Sequence, residues 1–176
     1  MTRKRRLLVF LIFLGIFTTS YSIGAGMPVN NEDAMEFLKE FQLAVEGIDA
    51  IGIFLHNASI ALPMFIPGFG VAWGGFAAWS TGFAFSALVT TTPELSQIPP
   101  LALLFASPFG LMELIAYSIG MSRSFILIQT IIKKKPIKLE LTPTAIEIGI
   151  AVALLLLGSF IEFVMIQEFG DLQIPS

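Results

Sequence analysis

The sequence predicts an all-α membrane protein: a polytopic helix bundle of about five transmembrane helices, some of them broken or half helices, in a single membrane domain (1–176). The first observation is composition, because 55% of the 176 residues are hydrophobic and only 13% are charged. That charged fraction is about half of what a soluble domain carries. The second is that apolar stretches of roughly 20 residues recur, a length that crosses about 30 Å of hydrocarbon.

The third observation is the segregation of charge, which predicts the topology. Eight of the ten Lys and Arg residues lie in two short clusters, TRKRR at 2–6 and KKKPIK at 133–138, whereas the segment 31–49 is mostly acidic. Basic loops stay on the cytoplasmic side of a membrane. We therefore expect the N-terminus and the loop 133–138 inside, with the acidic segment and the C-terminus outside, in a multi-pass protein of the cell membrane.

The first predicted span covers 7–27. It follows basic residues and has small residues near its end, as a secretory signal peptide does. Its apolar run is long for a signal peptide, so we favour an uncleaved anchor over a cleaved leader.

An amphipathic outer helix is predicted over 31–49. Asn30 or Asn31 can cap it, and acidic residues occupy its first turn. Apolar residues then recur at helical spacing from position 34, and the opposite face carries Glu36, Lys39, Glu40 and Glu46. We favour a helix that lies on the membrane surface or on its own bundle, and the alternative is a docking face for an outside partner.

The second and third spans are predicted at about 48–66 and 68–90, joined by the turn PGFG at 67–70. The third is dense in small residues, which allow helix backbones to approach closely in a membrane. We expect close packing within this protein, and a seam between copies in a homo-oligomer is the alternative. The glycines to which we assign helix packing are Gly68, Gly70, Gly74, Gly82 and Gly110.

The apolar stretch 100–132 must contain a break. The 34 residues from Pro99 to Ile132 would extend about 51 Å as one helix. Pro108 is the best candidate, because proline removes a helix hydrogen bond and clashes with the preceding turn. We expect a half-helix at 100–107, a fourth span at 108–132 and a fifth at 144–167 that starts after Pro143.

Ionisable residues in these apolar spans are the candidate site. A charged side chain near the bilayer centre costs about 2.5 to 3.5 kcal/mol, so it usually faces protein or water. Glu113 and Arg123 stand about 15 Å apart along one helix and cannot pair there, whatever the register of that span. We group the candidate intramembrane polar cluster as His56, Asn57, Thr81, Glu113, Tyr117 and Arg123. A structural hydrogen-bond clamp is favoured over a transport role, and Glu162 in the fifth span poses the same question.

Three stretches carry a family resemblance: IFLHNASIALPMFIPGFG at 53–70, GGFAAWSTGFAFS at 74–86 and SPFGLMELIAYSIG at 107–120. They resemble the stage II sporulation protein M family of integral membrane proteins. Thr81 and Phe109 stand where that family usually has Asn and His. The positions that match the family pattern are Asn57, Gly68, Gly70, Gly82, Gly110, Glu113 and Ala116.

The resemblance implies a five-span protein without enzymatic activity of its own. The family's namesake serves as a scaffold that positions cell-wall hydrolases in a membrane complex. Relatives occur in cells that never form spores, so the resemblance does not imply a role in spore formation for this protein.

Two functions from different classes follow. The first is a non-enzymatic scaffold or accessory subunit of a membrane or cell-envelope complex, and the alternative is a small membrane transporter or channel with a site around the broken helices. With no cysteine and one histidine, the sequence offers no thiolate chemistry and no histidine-rich metal site. We assign no catalytic, cofactor-binding or metal residues. The expected partners are membrane lipid and other membrane or envelope proteins, and the short basic runs do not indicate nucleic acid.

Overall fold

A computed structural model describes residues 2–45 and 47–170 of the chain. Glu46 and the end of the acidic C-terminal segment lie outside the described residues. Short 3₁₀ helices lie at Leu62–Phe65 and Pro93–Gln97. The described residues otherwise form seven α-helices: α1 Arg3–Ala25, α2 Asn31–Val45, α3 Ala50–Ala61, α4 Phe69–Thr91, α5 Pro100–Phe105, α6 Pro108–Ile132 and α7 Lys138–Gly170.

Helix α6 is the centre of the bundle and contacts α1, α3, α4, α5 and α7. Within its apolar stretch 61% is buried, against 22% for α1 and 22% for α7. The outward faces of α1 and α7 expose large aliphatic and aromatic side chains, such as Leu11, Ile16, Leu157 and Phe160. Contiguous apolar surface of this kind needs an apolar solvent or a partner.

Three helices are long and apolar enough to cross a membrane: α1, α6 and the stretch Lys138–Glu168 of α7. They indicate a membrane protein whose described residues are helical and contain no strand. The shorter apolar segment Ala50–Phe65 and the 23-residue α4 pack among them.

Small residues bring α1 and α4 into direct backbone contact. A Cβ atom on Gly82 would collide with the carbonyl oxygen of Tyr21, and one on Gly24 would collide with that of Trp79. The hydroxyl of Ser20 also donates to the carbonyl oxygen of Gly75 at 2.7 Å. Helix α1 is therefore part of the core, where it buries Phe13, Phe17 and Tyr21.

The other predicted packing glycines have distinct roles. Gly68 precedes α4 with φ of 79°, a conformation that glycine adopts without strain. A Cβ on Gly70 would collide with the backbone of Met64, and one on Gly74 would collide with the side chain of Met121. Gly110 is buried in the first turn of α6.

Helix α2 lies on the bundle through its apolar face. Ala34 is fully buried, and the ring of Phe37 meets that of Phe83 of α4 edge-on at 5.8 Å. The acidic residues Glu36 and Glu40 are exposed on the other side. We favoured a helix that lies on the membrane surface or on its own bundle, and α2 packs on the bundle.

Helix boundaries differ from the expected ones mainly in α7. We expected it to begin after Pro143, but the helix already begins at Lys138 and continues through Pro143. The hydroxyl of Thr144 donates to the carbonyl oxygen of Glu140 at 2.7 Å, next to the position where proline removes a backbone donor. The extra turns place Glu140 on the same helix face as Glu147, two turns later.

The chain is also interrupted between α5 and α6, at residues 106–107, beside the expected break at Pro108. The hydroxyl of Ser107 accepts from the backbone N–H of Gly110 at 3.1 Å and caps α6. Proline at the first helical position fits this start, because its missing N–H would have had no partner in the helix.

Candidate functional site

The arrangement of α6 and α7 places Arg123 opposite Glu147. The two helices are joined by the short connection 133–137 and pack along one another as an antiparallel pair. Arg123 lies nine residues before the end of α6, and Glu147 lies nine residues after the start of α7. Both side chains are therefore about 14 Å from the connected helix ends, at the same level of the bundle.

Glu147 is held between two guanidinium groups. Arg123 donates from Nε to Oε2 of Glu147 at 2.7 Å and from Nη2 to Oε1 at 2.6 Å. Arg6 of α1 donates to the same two oxygens, at 2.6 Å from Nε and 2.7 Å from Nη2. Each carboxylate oxygen thus accepts two charge-assisted hydrogen bonds, and paired contacts of this geometry are the strongest that a carboxylate makes.

Two further side chains complete this group. Nη1 of Arg123 donates to Oε2 of Glu140 at 2.7 Å, and Nη1 of Arg6 donates to the hydroxyl of Ser122 at 2.8 Å. We call Arg6, Arg123, Glu140 and Glu147 the Arg–Glu network. It joins α1, α6 and α7, and its two positive and two negative charges cancel.

Burial makes this cancellation necessary. Arg123 is only 2% exposed, whereas its acidic partners are 16 to 18% exposed. A single buried charge is costly, but a neutral set with saturated hydrogen bonds can be accommodated. The network therefore cross-links three helices.

A cleft of about 760 Å³ adjoins the Arg–Glu network and is partly open to the surface. It lies between the first turns of α1, the middle of α6, the connection 133–137 and the start of α7. Its wall is mostly apolar, and the four residues of the network also line it. The remaining lining residues are Arg3, Leu7, Phe10, Ile119, Thr130, Lys135, Pro136, Leu139, Pro143 and Ile150.

A second polar group lies toward the opposite ends of α6 and α7. Nδ2 of Asn57 in α3 donates to Oε1 of Glu113 at 2.6 Å, and Asn57 is buried. Glu162 of α7 is close enough to Glu113 for the two carboxyl groups to interact electrostatically. Its Oε2 atom is buried without a hydrogen-bond partner among the described residues. We call Asn57, Glu113 and Glu162 the Asn–Glu cluster.

The structure thus divides the polar cluster that the sequence analysis grouped together. Asn57 and Glu113 meet in the Asn–Glu cluster, whereas Arg123 belongs to the Arg–Glu network. Tyr117 is buried, and its ring stacks on that of Phe17 with centroids 5.6 Å apart. His56 is exposed, and Thr81 is exposed with its hydroxyl bonded to the carbonyl oxygen of Ala77 at 2.9 Å.

The sequence analysis missed the two residues that neutralise Arg123, Glu140 and Glu147, and the second arginine that shares Glu147, Arg6. Glu147 was detectable, because in two helices joined by a short connection, positions equally distant from it face each other. Arg6 was counted only as a topology signal. Glu140 was placed outside the last span, since Pro143 suggested a later helix start.

Taken together, the long apolar helices and the polar groups buried between them indicate a helical membrane protein. Comparisons of the chain with protein-family models, with curated proteins and with solved structures find no match. Among the described residues, no group of three or more His, Cys, Asp or Glu side chains could hold a metal ion.

Proposed function

We propose that this protein is a non-enzymatic scaffold or accessory subunit of a membrane or cell-envelope complex, as the resemblance to the stage II sporulation protein M family implies. The observation that carries the proposal is the placement of α2. Its apolar residues Ala34 and Phe37 pack on the bundle, whereas its acidic residues Glu36 and Glu40 are exposed. A helix that packs on the bundle through one face and exposes acidic side chains on the other suits a basic surface on a protein partner.

The internal polar groups support the same proposal. The charges of the Arg–Glu network are satisfied by one another across three helices. Such a network gives a bundle one defined arrangement, which a scaffold needs, and leaves no charged side chain of the set free to bind a solute.

The broken helix between α3 and α4 argues against the transporter alternative. In transporters, unwound backbone exposes carbonyl groups that coordinate the transported ion. Here the hydroxyl of Ser124 donates to the carbonyl oxygen of Ile66 at 2.6 Å, and the N–H of Gly68 donates to the carbonyl oxygen of Ser124 at 3.4 Å. The break is therefore closed by protein hydrogen bonds to α6.

Charge reversal on α2 tests the scaffold. We expect Glu36→Lys/Glu40→Lys to abolish co-purification of the partner in mild detergent, while the amount of protein in the membrane stays the same. The matched control is Glu94→Lys/Glu168→Lys, which reverses two exposed acids away from α2. Equal retention of the partner by both variants would count against α2 as the docking face.

The proposed membrane arrangement has five spans, with the N-terminus inside and the C-terminus outside. The three long apolar helices support α1, α6 and α7 as spans. We assign the other two spans to α4 and to the shorter apolar segment Ala50–Phe65. Single cysteines introduced into this cysteine-free chain check it by labelling with an impermeant reagent. Residues near 40 and 95 should label from outside in intact cells, and a cysteine near 136 should label only after lysis.

A further inference from the structure

We propose that the cleft beside the Arg–Glu network binds one anionic glycerophospholipid. The phosphate of this lipid would contact Arg3 and Lys135, and the parts of its acyl chains nearest the glycerol would lie along the apolar wall. This inference rests on the proposed membrane insertion with the basic ends inside. It does not depend on a protein partner, so the scaffold and the lipid site can fail separately.

The charge of the cleft selects an anion. Arg6 and Arg123 are engaged by the two glutamates of the network. Arg3 and Lys135 line the same cleft, are exposed, and form no ion pair with any described residue. Because the network is neutral, these two cations determine the net charge at the cleft.

The apolar wall selects a lipid over a free phosphate. Leu7 and Phe10 of α1 line one side of the cleft, and Leu139 and Ile150 of α7 line the other. Leu7 and Ile150 are also among the exposed hydrophobic residues of the bundle surface, so the cleft continues into the apolar faces of α1 and α7. An inorganic anion would leave this wall in contact with water, whereas an acyl chain would cover it.

Size and position agree with this occupant. A volume of about 760 Å³ is within the range of small-molecule sites, enough for a headgroup, its glycerol and the first part of two acyl chains. The cleft lies beside both basic segments, which topology rules place at the cytoplasmic interface. Basic pockets between membrane helices on that side bind the headgroups of anionic lipids.

Native mass spectrometry of the full chain in non-ionic detergent tests the site, with added phosphatidylglycerol compared with phosphatidylcholine of the same acyl chains. We expect one phosphatidylglycerol bound in preference to phosphatidylcholine. Arg3→Gln/Lys135→Gln should weaken phosphatidylglycerol binding about tenfold. The control Lys4→Gln/Lys138→Gln removes one cation from each of the same basic segments but none from the cleft, and should change binding less than about twofold.

A second pair of variants separates a cleft from a charged surface. Ile150→Trp replaces a residue of the apolar wall with a larger side chain that would occupy part of the cleft, without changing its charge. Ile146→Trp adds the same bulk at an exposed position of α7 outside the cleft. We expect loss of phosphatidylglycerol binding in the first variant only, with monodisperse protein in both.

Four results would overturn the proposal. The first three are equal binding of the two lipids, equal loss in the two glutamine double variants, and unchanged binding by Ile150→Trp. Displacement of the lipid by inorganic phosphate at millimolar concentration would also overturn it, since the cleft would then be a site for a free anion.

Discussion

The Arg–Glu network and the Asn–Glu cluster lie toward opposite ends of the same two helices, yet they solve the problem of buried ionisable groups differently. In the network, two guanidinium groups and two carboxylates cancel. In the cluster, Glu113 meets an amide at 2.6 Å and lies near a second carboxyl group, with no cation in the set. The first arrangement depends on charge, and the second depends on hydrogen-bond geometry.

This difference suggests a way to tell whether a buried glutamate in an apolar bundle is needed for its charge or only as a hydrogen-bond acceptor. Replacing a carboxylate by its amide keeps the shape of the side chain and removes the charge. Where the neighbours are guanidinium groups, the loss leaves buried charge unpaired, which is costly. Where the neighbour is an amide donor, the new carbonyl oxygen can accept the same hydrogen bond.

The largest effect is expected from Glu147→Gln. Arg123 and Arg6 would each lose the carboxylate that both contact through two nitrogens, and Arg123 is nearly inaccessible to water. We expect the free energy of unfolding in detergent to fall by about 3 to 5 kcal/mol. Thermal unfolding followed by size-exclusion chromatography measures the loss.

The control for Glu147→Gln is Glu168→Gln, which changes an exposed glutamate of the same helix and should leave the unfolding midpoint unchanged. If the two variants unfold at the same temperature, the Arg–Glu network contributes nothing to holding the helices together.

A smaller effect is expected from Arg6→Gln. Arg6 is 20% exposed, and Glu147 would keep its two hydrogen bonds to Arg123. We expect a loss of about 1 to 3 kcal/mol, and less in a chain that already carries Glu147→Gln. A double-mutant cycle on unfolding in detergent measures this coupling.

Arg5→Gln is the matched control for Arg6→Gln, because Arg5 is exposed and forms no ion pair with a described residue. Additive effects of Arg6→Gln and Glu147→Gln, within about 0.5 kcal/mol, would mean that α1 is not tied to α7 through this contact.

Much of the fold could be predicted because it depends on local signals. Composition predicts helices in an apolar medium, and Pro108 with its neighbours predicts the interruption that the structure has at 106–107. Small residues at a spacing of four predict close helix contact, and Gly82 does approach the backbone of α1. The five-span count and the orientation of the termini remain predictions.

The pairing of the polar residues was harder to predict, because it depends on which helices are neighbours. Asn57 could be considered for Glu113 because few amides occur in the apolar spans. The partners of Arg123 both lie in α7, and only the register of this helix against α6 selects them. The early start of α7 adds Glu140, which the presence of Pro143 made unexpected.

The smallest effect is expected from Glu113→Gln, the same substitution as in the first prediction but in the Asn–Glu cluster. The new amide can still accept from Nδ2 of Asn57, so the free energy of unfolding should change by less than about 1 kcal/mol. Glu113→Leu, which removes the acceptor and leaves the buried amide of Asn57 without its partner, should cost about 1 to 3 kcal/mol.

The same pair of variants also discriminates between the two functions. A clamp requires only the hydrogen bond, so Glu113→Gln should unfold like the unmodified chain and reconstituted vesicles should show no flux with either protein. A transporter that uses Glu113 as an ionisable group would show flux in the unmodified chain and lose it in Glu113→Gln, although the variant is equally stable. Flux with that dependence would contradict the scaffold, because a hydrogen-bond acceptor alone would then be insufficient at this position.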